Sequence, residues 1–353
     1  MMGGMVLNNI KVLVVDDSAL MRRIISDMIN SQSNMEVVAT ARNGEDLFKK
    51  LEKVQPDVIT LDVEMPVMNG LEALRELKRK NINIPVVVIS SVTSTAASIT
   101  IECLEAGAFD FISKPSGQIS LDIDKIKDDL ISKIQLAYCE TGNCSGKKND
   151  KSNKRSKERI GTVSKRKLEA VVIGASTGGP RALYTVLTAL PAELGVPIFV
   201  VQHMPAGFTK AFADRLNSNT DLNVLEATQG QAIKKNNIYI APGGYHMEID
   251  KNKKIELNKD PAIWGVRPAV DKLFVSASEV YGPSLLSIVL TGMGRDGAEG
   301  SVEVKKNGGI TISEHESTCT IYGMPKAAYE TGMIDEVLPI NEIPIEIVRL
   351  LKN

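Results

Sequence analysis

Val171-Val172-Ile173-Gly174-Ala175-Ser176-Thr177-Gly178-Gly179 is the stretch that decides how the second half of this chain reads. A β-branched apolar run predicts a buried strand that stops near Gly174, and a helical pattern follows from about Gly179. Ser176 then stands in a tight strand-to-helix turn. Such a turn lifts a hydroxyl toward a helix N-terminus, where free N–H groups favour developing negative charge. Gly174, Ser176 and Gly178 also fit the G-x-S-x-G nucleophile elbow. On these residues alone the turn reads as a nucleophile, a phosphate cradle or plain geometry. A dinucleotide fingerprint is excluded, because Ala175 and Ser176 occupy the wrong places and the next strand ends in Gln202-His203 with no acid for a ribose.

Outward from that turn the alternation of strands and helices continues. Ala170–Ile173, Pro197–Gln202, Ile238–Ile240 and Ser284–Thr291 read as the clearest strands, and alternating apolar residues over 245–259 predict an inserted β-hairpin. The first half alternates too. Strands are expected at Lys11–Asp16, Glu36–Ala41, Asp57–Asp62, Ile84–Ser90 and Ala108–Ile112, with helices near 18–31, 44–54, 70–80, 94–106 and 122–140. Both halves are therefore expected to be α/β: an N-terminal (βα)5 domain and a doubly wound, mostly parallel C-terminal domain with the hairpin. Between them, residues 141–167 hold ten Lys or Arg, two acidic residues and three apolar ones. That composition predicts a flexible basic linker, so the expected domains are 1–140 and 168–353. The linker reads as a soluble tether, with contact to an acidic surface or nucleic acid as the alternative.

Composition excludes several classes. The 353 residues are 43% hydrophobic and 24% charged with a net charge of −1, which gives no electrostatic case for nucleic acid or membrane as partner. No apolar run reaches transmembrane length, so no membrane insertion is expected, and the N-terminus lacks a signal-peptide pattern. The four cysteines show no C-x-x-C pairing, so neither a metal nor a disulfide framework is expected and a cytoplasmic location fits.

In open parallel sheets, function collects at the C-terminal ends of strands. In the first half those ends hold Asp16, Asp17, Asp62, Ser90 and Lys114. Converging carboxylates with open positions suit Mg²⁺, and a hydroxyl and a lysine beside them would hold phosphoryl oxygens. The pattern is that of a carboxylate built to be phosphorylated. VLVVDDS (12–18), VITLDVEMPVMNG (58–70), VVVISS (86–91) and FDFISKP (109–115) closely resemble the receiver domain of two-component response regulators. The resemblance implies Asp62 as phosphoacceptor and Asp16, Asp17, Asp62 and the Glu64 backbone carbonyl as Mg²⁺ ligands. It also implies Ser90 as switch hydroxyl, Lys114 as phosphoryl clamp and Phe111 near the usual switch aromatic. Lys114-Pro115 is a candidate cis bond.

In the second half Ser176 needs a base and an orienting carboxylate. Of His203, His246 and His315, only His203 follows a strand as Ser176 does. Asp296 follows the run 285–295 in a Gly-rich turn, where it is a candidate for the triad, for a helix cap, or for both. The order Ser…His…Asp differs from that of α/β-hydrolases. IGASTGGP, QHMPAGFT, YIAPGGYHM, RPAVDKLF, LTGMGRDG and YGMPKAA, between residues 172 and 328, resemble the catalytic domain of the chemotaxis protein-glutamate methylesterase family, CheB. That resemblance implies Ser176 as nucleophile, His203 as base and Asp296 as its orienter. It places Thr177 and Met293 in the same cluster, with the Met293 N–H an oxyanion-hole candidate; elbow geometry makes the Thr177 N–H another. Arg295 fills a variable slot.

The family implies a receiver-gated hydrolase of glutamate methyl esters, and of glutamine amides, on methyl-accepting chemoreceptors, with a chemotaxis histidine kinase as phosphodonor. The esterase chemistry needs no cofactor. RPAVDKLF and residues 204–210 are candidates to hold the receptor helix. Two other classes are a nucleic-acid-binding response regulator, for which the output half shows no helix-turn-helix signature, and a non-catalytic receptor adaptor.

Overall fold

The computed structural model describes residues 9–114, 123–142 and 167–352. Most of the expected linker, the Lys114-Pro115 bond and Cys144 lie outside the described residues. The chain divides into two compact units, Met1–Lys147 and Lys148–Asn353.

The first unit runs β1 (Ile10–Val15), α1 (Ala19–Asn30), β2 (Met35–Ala41), α2 (Gly44–Leu51), β3 (Val58–Asp62), α3 (Gly70–Arg79), β4 (Val86–Ser90), α4 (Ser94–Ala106), β5 (Asp110–Ser113) and α5 (Ile123–Glu140). Its sheet has the order β2-β1-β3-β4-β5 and every neighbouring pair is parallel. β3 and β4 are buried along their whole length, as a parallel sheet covered on both faces requires. The helices start at polar caps. Ser18, Asn43, Asn69 and Thr93 each accept a backbone N–H of the first turn, and Asn69 with Glu72 closes a full capping box. Strand order reverses between β1 and β3, so Asp16 and Asp62 meet at the switch point where such sheets hold ligands. One expectation is corrected in this unit: Cys139, in the last turn of α5, is disulfide-bonded. Disulfide pairing does not require C-x-x-C spacing. Cys103 and Cys319 are free.

The second unit contains β6 (Ala170–Ala175), α6 (Gly179–Leu187), β7 (Ile198–Gln202), α7 (Phe208–Asn217), β8 (Asn223–Glu226), β9 (Asn237–Ile240), β10 (His246–Ile249), β11 (Ile255–Asn258), α8 (Val270–Tyr281), β12 (Leu285–Val289), α9 (Ala298–Lys306), β13 (Ile310–Glu314), α10 (Met324–Glu330), β14 (Glu336–Leu338) and α11 (Ile343–Leu351). Seven parallel strands lie in the order β14-β13-β12-β6-β7-β9-β8. β10 and β11 form the separate antiparallel hairpin. Under the sheet, Phe199 and Tyr239 stack at 5.5 Å between ring centroids, in a core that also buries Phe274, Leu273 and Val289. β6 sits at the middle with β12 on one side and β7 on the other. The turns after these three strands carry Ser176, His203 and Asp296.

Candidate active site and phosphorylation site

The Ser176 turn is stitched to both neighbours by its backbone. Ser176 N donates to Thr291 O at 3.0 Å, and His203 N donates to Ala175 O at 3.0 Å. Gly178 ends the turn at φ 75°, a left-handed conformation that admits glycine without strain, and a Cβ there would come within 2.5 Å of Thr320 Cβ. Gly292 lies so close that a Cβ on it would be 2.8 Å from Ser176 Cβ. Glycine at both positions lets three loops crowd around one serine.

His203 and Asp296 are in direct contact. His203 Nε2 lies 2.7 Å from Asp296 Oδ2, and Asp296 is only 2% exposed. The same Oδ2 accepts Val270 N at 2.7 Å, and Oδ1 accepts Asp271 N at 2.9 Å. Burial pushes the Asp296 carboxyl up, but the His203 bond and charge and the two N–H donors outweigh it and hold the group below its ordinary value. An ionised Asp296 fixes the proton on His203 Nε2, which leaves the Nδ1 lone pair as the basic position. The Ser176 hydroxyl makes no hydrogen bond among the described residues. Serine and histidine are thus on adjoining turns without a direct bond, a looseness common before substrate binds.

The other two histidines have different work. His246 is buried; its Nδ1 accepts Ala269 N at 3.2 Å and its Nε2 lies 3.1 Å from Pro261 O, so both ring nitrogens hold backbone. His315 bonds Ser317 within its own exposed loop. Thr177 is buried, and its carbonyl accepts Thr291 Oγ1 at 3.0 Å. The Thr177 N–H donates to no group among the described residues. Met293 is exposed on the loop between β12 and Asp296. Arg295 lies with its guanidinium 4.9 Å over the Trp264 ring.

Three residues here escaped the sequence reading. Gln202 Nε2 donates to Ser176 O at 2.9 Å and to His203 O at 3.1 Å, so one amide ties the serine turn to the histidine turn. Its Oε1 is buried without a partner. Glu314, buried at the end of β13, accepts Thr291 N at 2.8 Å, and burial raises its carboxyl above the ordinary value. Asp271 opens α8 beside Asp296. The only sequence signal for these three was a polar residue at a strand end or in a helix's first turn.

In the first unit, Asp16, Asp17 and Asp62 bring one carboxylate oxygen each within 4.8 Å of one another. Lys114 Nζ lies 2.7 Å from Asp62 Oδ2 and 2.9 Å from Asp16 Oδ2. Burial raises the Asp62 carboxyl to about 6; the Lys114 bond opposes this, and the Asp16 charge adds to it. Hard oxygen donors that repel one another when ionised suit a divalent cation, so these residues fit Mg²⁺. Glu64 N donates to Asp62 Oδ1 at 3.4 Å, and the Glu64 carbonyl accepts no hydrogen bond among the described residues. The Ser90 hydroxyl is turned to α4, where it accepts Thr100 Oγ1 at 2.7 Å. Phe111 is buried with Lys133 Nζ 5.5 Å over its ring.

Comparison with known proteins gives the family of each unit. The family profile described as CheB methylesterase matches residues 171–347, and that of the response regulator receiver domain matches 12–123. A protein-glutamate methylesterase/protein-glutamine glutaminase of Clostridium acetobutylicum is 55% identical over 347 residues, covering 98% of this chain and 99% of the relative. The chain belongs to the CheB family. A relative of the same description from Pyrococcus horikoshii is 46% identical, over 97% of this chain and 94% of its own. The crystal structure of the Thermotoga maritima CheB methylesterase catalytic domain superposes with a TM-score of 0.51 at 45% identity, covering 52% of this chain and 98% of that one. The two parallel α/β sheets are therefore the CheB arrangement of a receiver followed by a methylesterase domain. Among the described residues no helix is long and apolar enough to cross a membrane.

Proposed function

We propose that this chain is a phosphorylation-activated hydrolase that removes methyl esters from glutamate side chains of chemoreceptors, and deamidates glutamines there, through Ser176, His203 and Asp296. The observation that carries the reading is the buried His203–Asp296 pair at 2.7 Å on the loops that adjoin the Ser176 turn. His203 Nδ1 takes the Ser176 proton as Oγ attacks the γ-carbonyl carbon. The oxyanion forms near the Thr177 and Met293 N–H groups. Asp296 stabilises the imidazolium. The C–O bond then breaks, His203 returns the proton, and methanol leaves. Water repeats the steps in reverse order and frees Ser176 and a glutamate carboxylate. With glutamine the leaving group is ammonia.

The receiver supplies control. Asp62 accepts the phosphoryl group from a chemotaxis histidine kinase. Asp16, Asp17, Asp62 and the Glu64 carbonyl would hold Mg²⁺, which supplies charge neutralisation for phosphoryl transfer when bound. Lys114 holds a phosphoryl oxygen, and Ser90 leaves its α4 partners to bind another. Phosphorylation shifts a two-state equilibrium toward the form whose Ser176 is open to substrate. A linker over 141–167 separates the domains, and the enzyme works in the cytoplasm. Methanol release from membranes carrying methylated chemoreceptors tests the reading. Ser176→Ala is expected to abolish release, and deletion of residues 1–140 to raise its basal rate. Near-normal release from Ser176→Ala rejects the triad. Unchanged or lower activity in the folded 141–353 fragment rejects gating by the receiver.

A further inference from the structure

Asp271 is 5% exposed, lies in the first turn of α8, and has no part in the mechanism above. Three donors converge on its carboxylate: Gly297 N at 2.9 Å and Gly300 N at 2.7 Å on Oδ1, and Trp264 Nε1 at 3.0 Å on Oδ2. The two glycines belong to the start of α9. Asp296, which leads into α9, in turn receives Val270 N and Asp271 N from the start of α8. Each helix start is therefore capped by the carboxylate beside the other. The Gly297 N–H held by Asp271 belongs to the peptide bond that follows Asp296.

A cap alone needs no second carboxylate, since Ser, Thr or Asn serves as well at a helix start. A carboxylate here is unfavourable: burial, and then the Asp296 charge, raise Asp271 to about 6. Trp264 adds a second unfavourable feature. It is a bulky residue, 49% exposed, at φ 54°, a conformation held by its indole bond to Asp271 and by Arg295 over its face. Arg295 is the residue before Asp296, so a closed circuit runs Asp271–Trp264–Arg295–Asp296. Unfavourable features that persist beside a reacting group mark function more often than packing.

We propose that Asp271 is a positioning residue for the triad, fixing the Asp296 turn so that Oδ2 stays on His203 Nε2. This rests on the triad reading above. The test uses the full chain with Asp271→Asn and Trp264→Phe. It measures kcat and KM for methanol release, and the low-field proton resonance of His203 Nε2–H, assigned by its absence from His203→Gln. Displacement of a reacting group by about 1 Å can lower a rate about 100-fold. Asp271→Asn is therefore expected to lower kcat about 10- to 100-fold with KM unchanged and to shift the His203 resonance. Trp264→Phe, which keeps both glycine donors, is expected to move both in the same direction by less. Unchanged kcat in folded Asp271→Asn overturns the proposal, as does a lowered kcat with the His203 resonance unmoved. If Asp271→Asn does not fold, unchanged kcat and resonance in Trp264→Phe overturn it. A wild-type protein that releases no methanol defeats the esterase reading instead, and the resonance then decides the role of Asp271 without turnover.

Discussion

Replacing Asp296 with Asn separates charge from shape at the centre of the site. Asp296 Oδ2 holds His203 Nε2 and Val270 N, and Oδ1 holds Asp271 N. An amide can offer only one oxygen. With that oxygen at the Oδ2 position, the NH₂ faces the Asp271 N–H, and one charge-assisted bond becomes a donor–donor contact. With the amide turned over, the NH₂ faces both His203 and Val270, and His203 must give up its Nε2 proton, which moves the proton to the nitrogen meant to act as base. Either orientation removes the negative charge that faces the imidazolium. Two unit charges about 4 Å apart at an effective dielectric near 20 interact by about 4 kcal/mol, and about 4 kcal/mol is a factor of roughly 10³ in rate. The same substitution in the serine-protease template costs about 10⁴. Asp296→Asn should therefore lower kcat for methanol release by about 10³- to 10⁴-fold and leave KM nearly unchanged. The assay is initial-rate methanol release from methylated receptor membranes, with circular dichroism confirming the fold. A loss below about tenfold in folded protein refutes the assignment of Asp296 as orienter.

Gln202→Met keeps the volume and removes both amide donors, so kcat should fall about tenfold or more and stability by about 1–3 kcal/mol; thermal melts and initial rates read both, and an active, unshifted variant defeats the tie. Asp271 is raised from 3.8 to about 6, so between those values the folded state binds more protons than the unfolded and this group's contribution to stability falls as pH rises. Asp271→Asn removes that slope. Denaturation of wild type and variant at pH 4 and pH 7 should show the difference between them changing by up to about 3 kcal/mol in the variant's favour at the higher pH; a pH-independent difference contradicts the shift. Mg²⁺ at about ten times its Kd should stabilise the receiver by about 1.4 kcal/mol, read as a rise in Tm that Asp17→Asn suppresses; an equal rise in that variant removes Asp17 from the ligand set.

The sequence carried the fold where elements are long and periodic. β3 was read one residue long at its start, β4 two residues long, and α4 with its observed ends, because buried β-branched runs and polar caps are local signals. β13 was not read, because Thr311 and Ser313 break its apolar run although the strand is buried, and the edge strands β8 and β14 were not read either. They are 4 and 3 residues long and only partly buried, so they carry little periodicity. At the site, Ser176, His203 and Asp296 were legible because each follows a strand, and the strand order puts those ends together. Gln202, Glu314 and Asp271 were not, because their importance lies in which backbone groups they meet across 26, 23 and 29 residues of chain. Ser90 was legible as a hydroxyl at a strand end, but not its orientation toward α4, which depends on Thr100 ten residues on.

The central claim is that Ser176 performs ester hydrolysis under the control of Asp62. It is tested most directly by methanol release from methylated chemoreceptor membranes, measured for wild type, Ser176→Ala and Asp62→Asn with and without a small-molecule phosphodonor. The account predicts release by wild type that rises with phosphodonor, none from Ser176→Ala, and a low rate from Asp62→Asn that the phosphodonor does not change. Release from Ser176→Ala at the wild-type rate, or equal stimulation of Asp62→Asn, would contradict it.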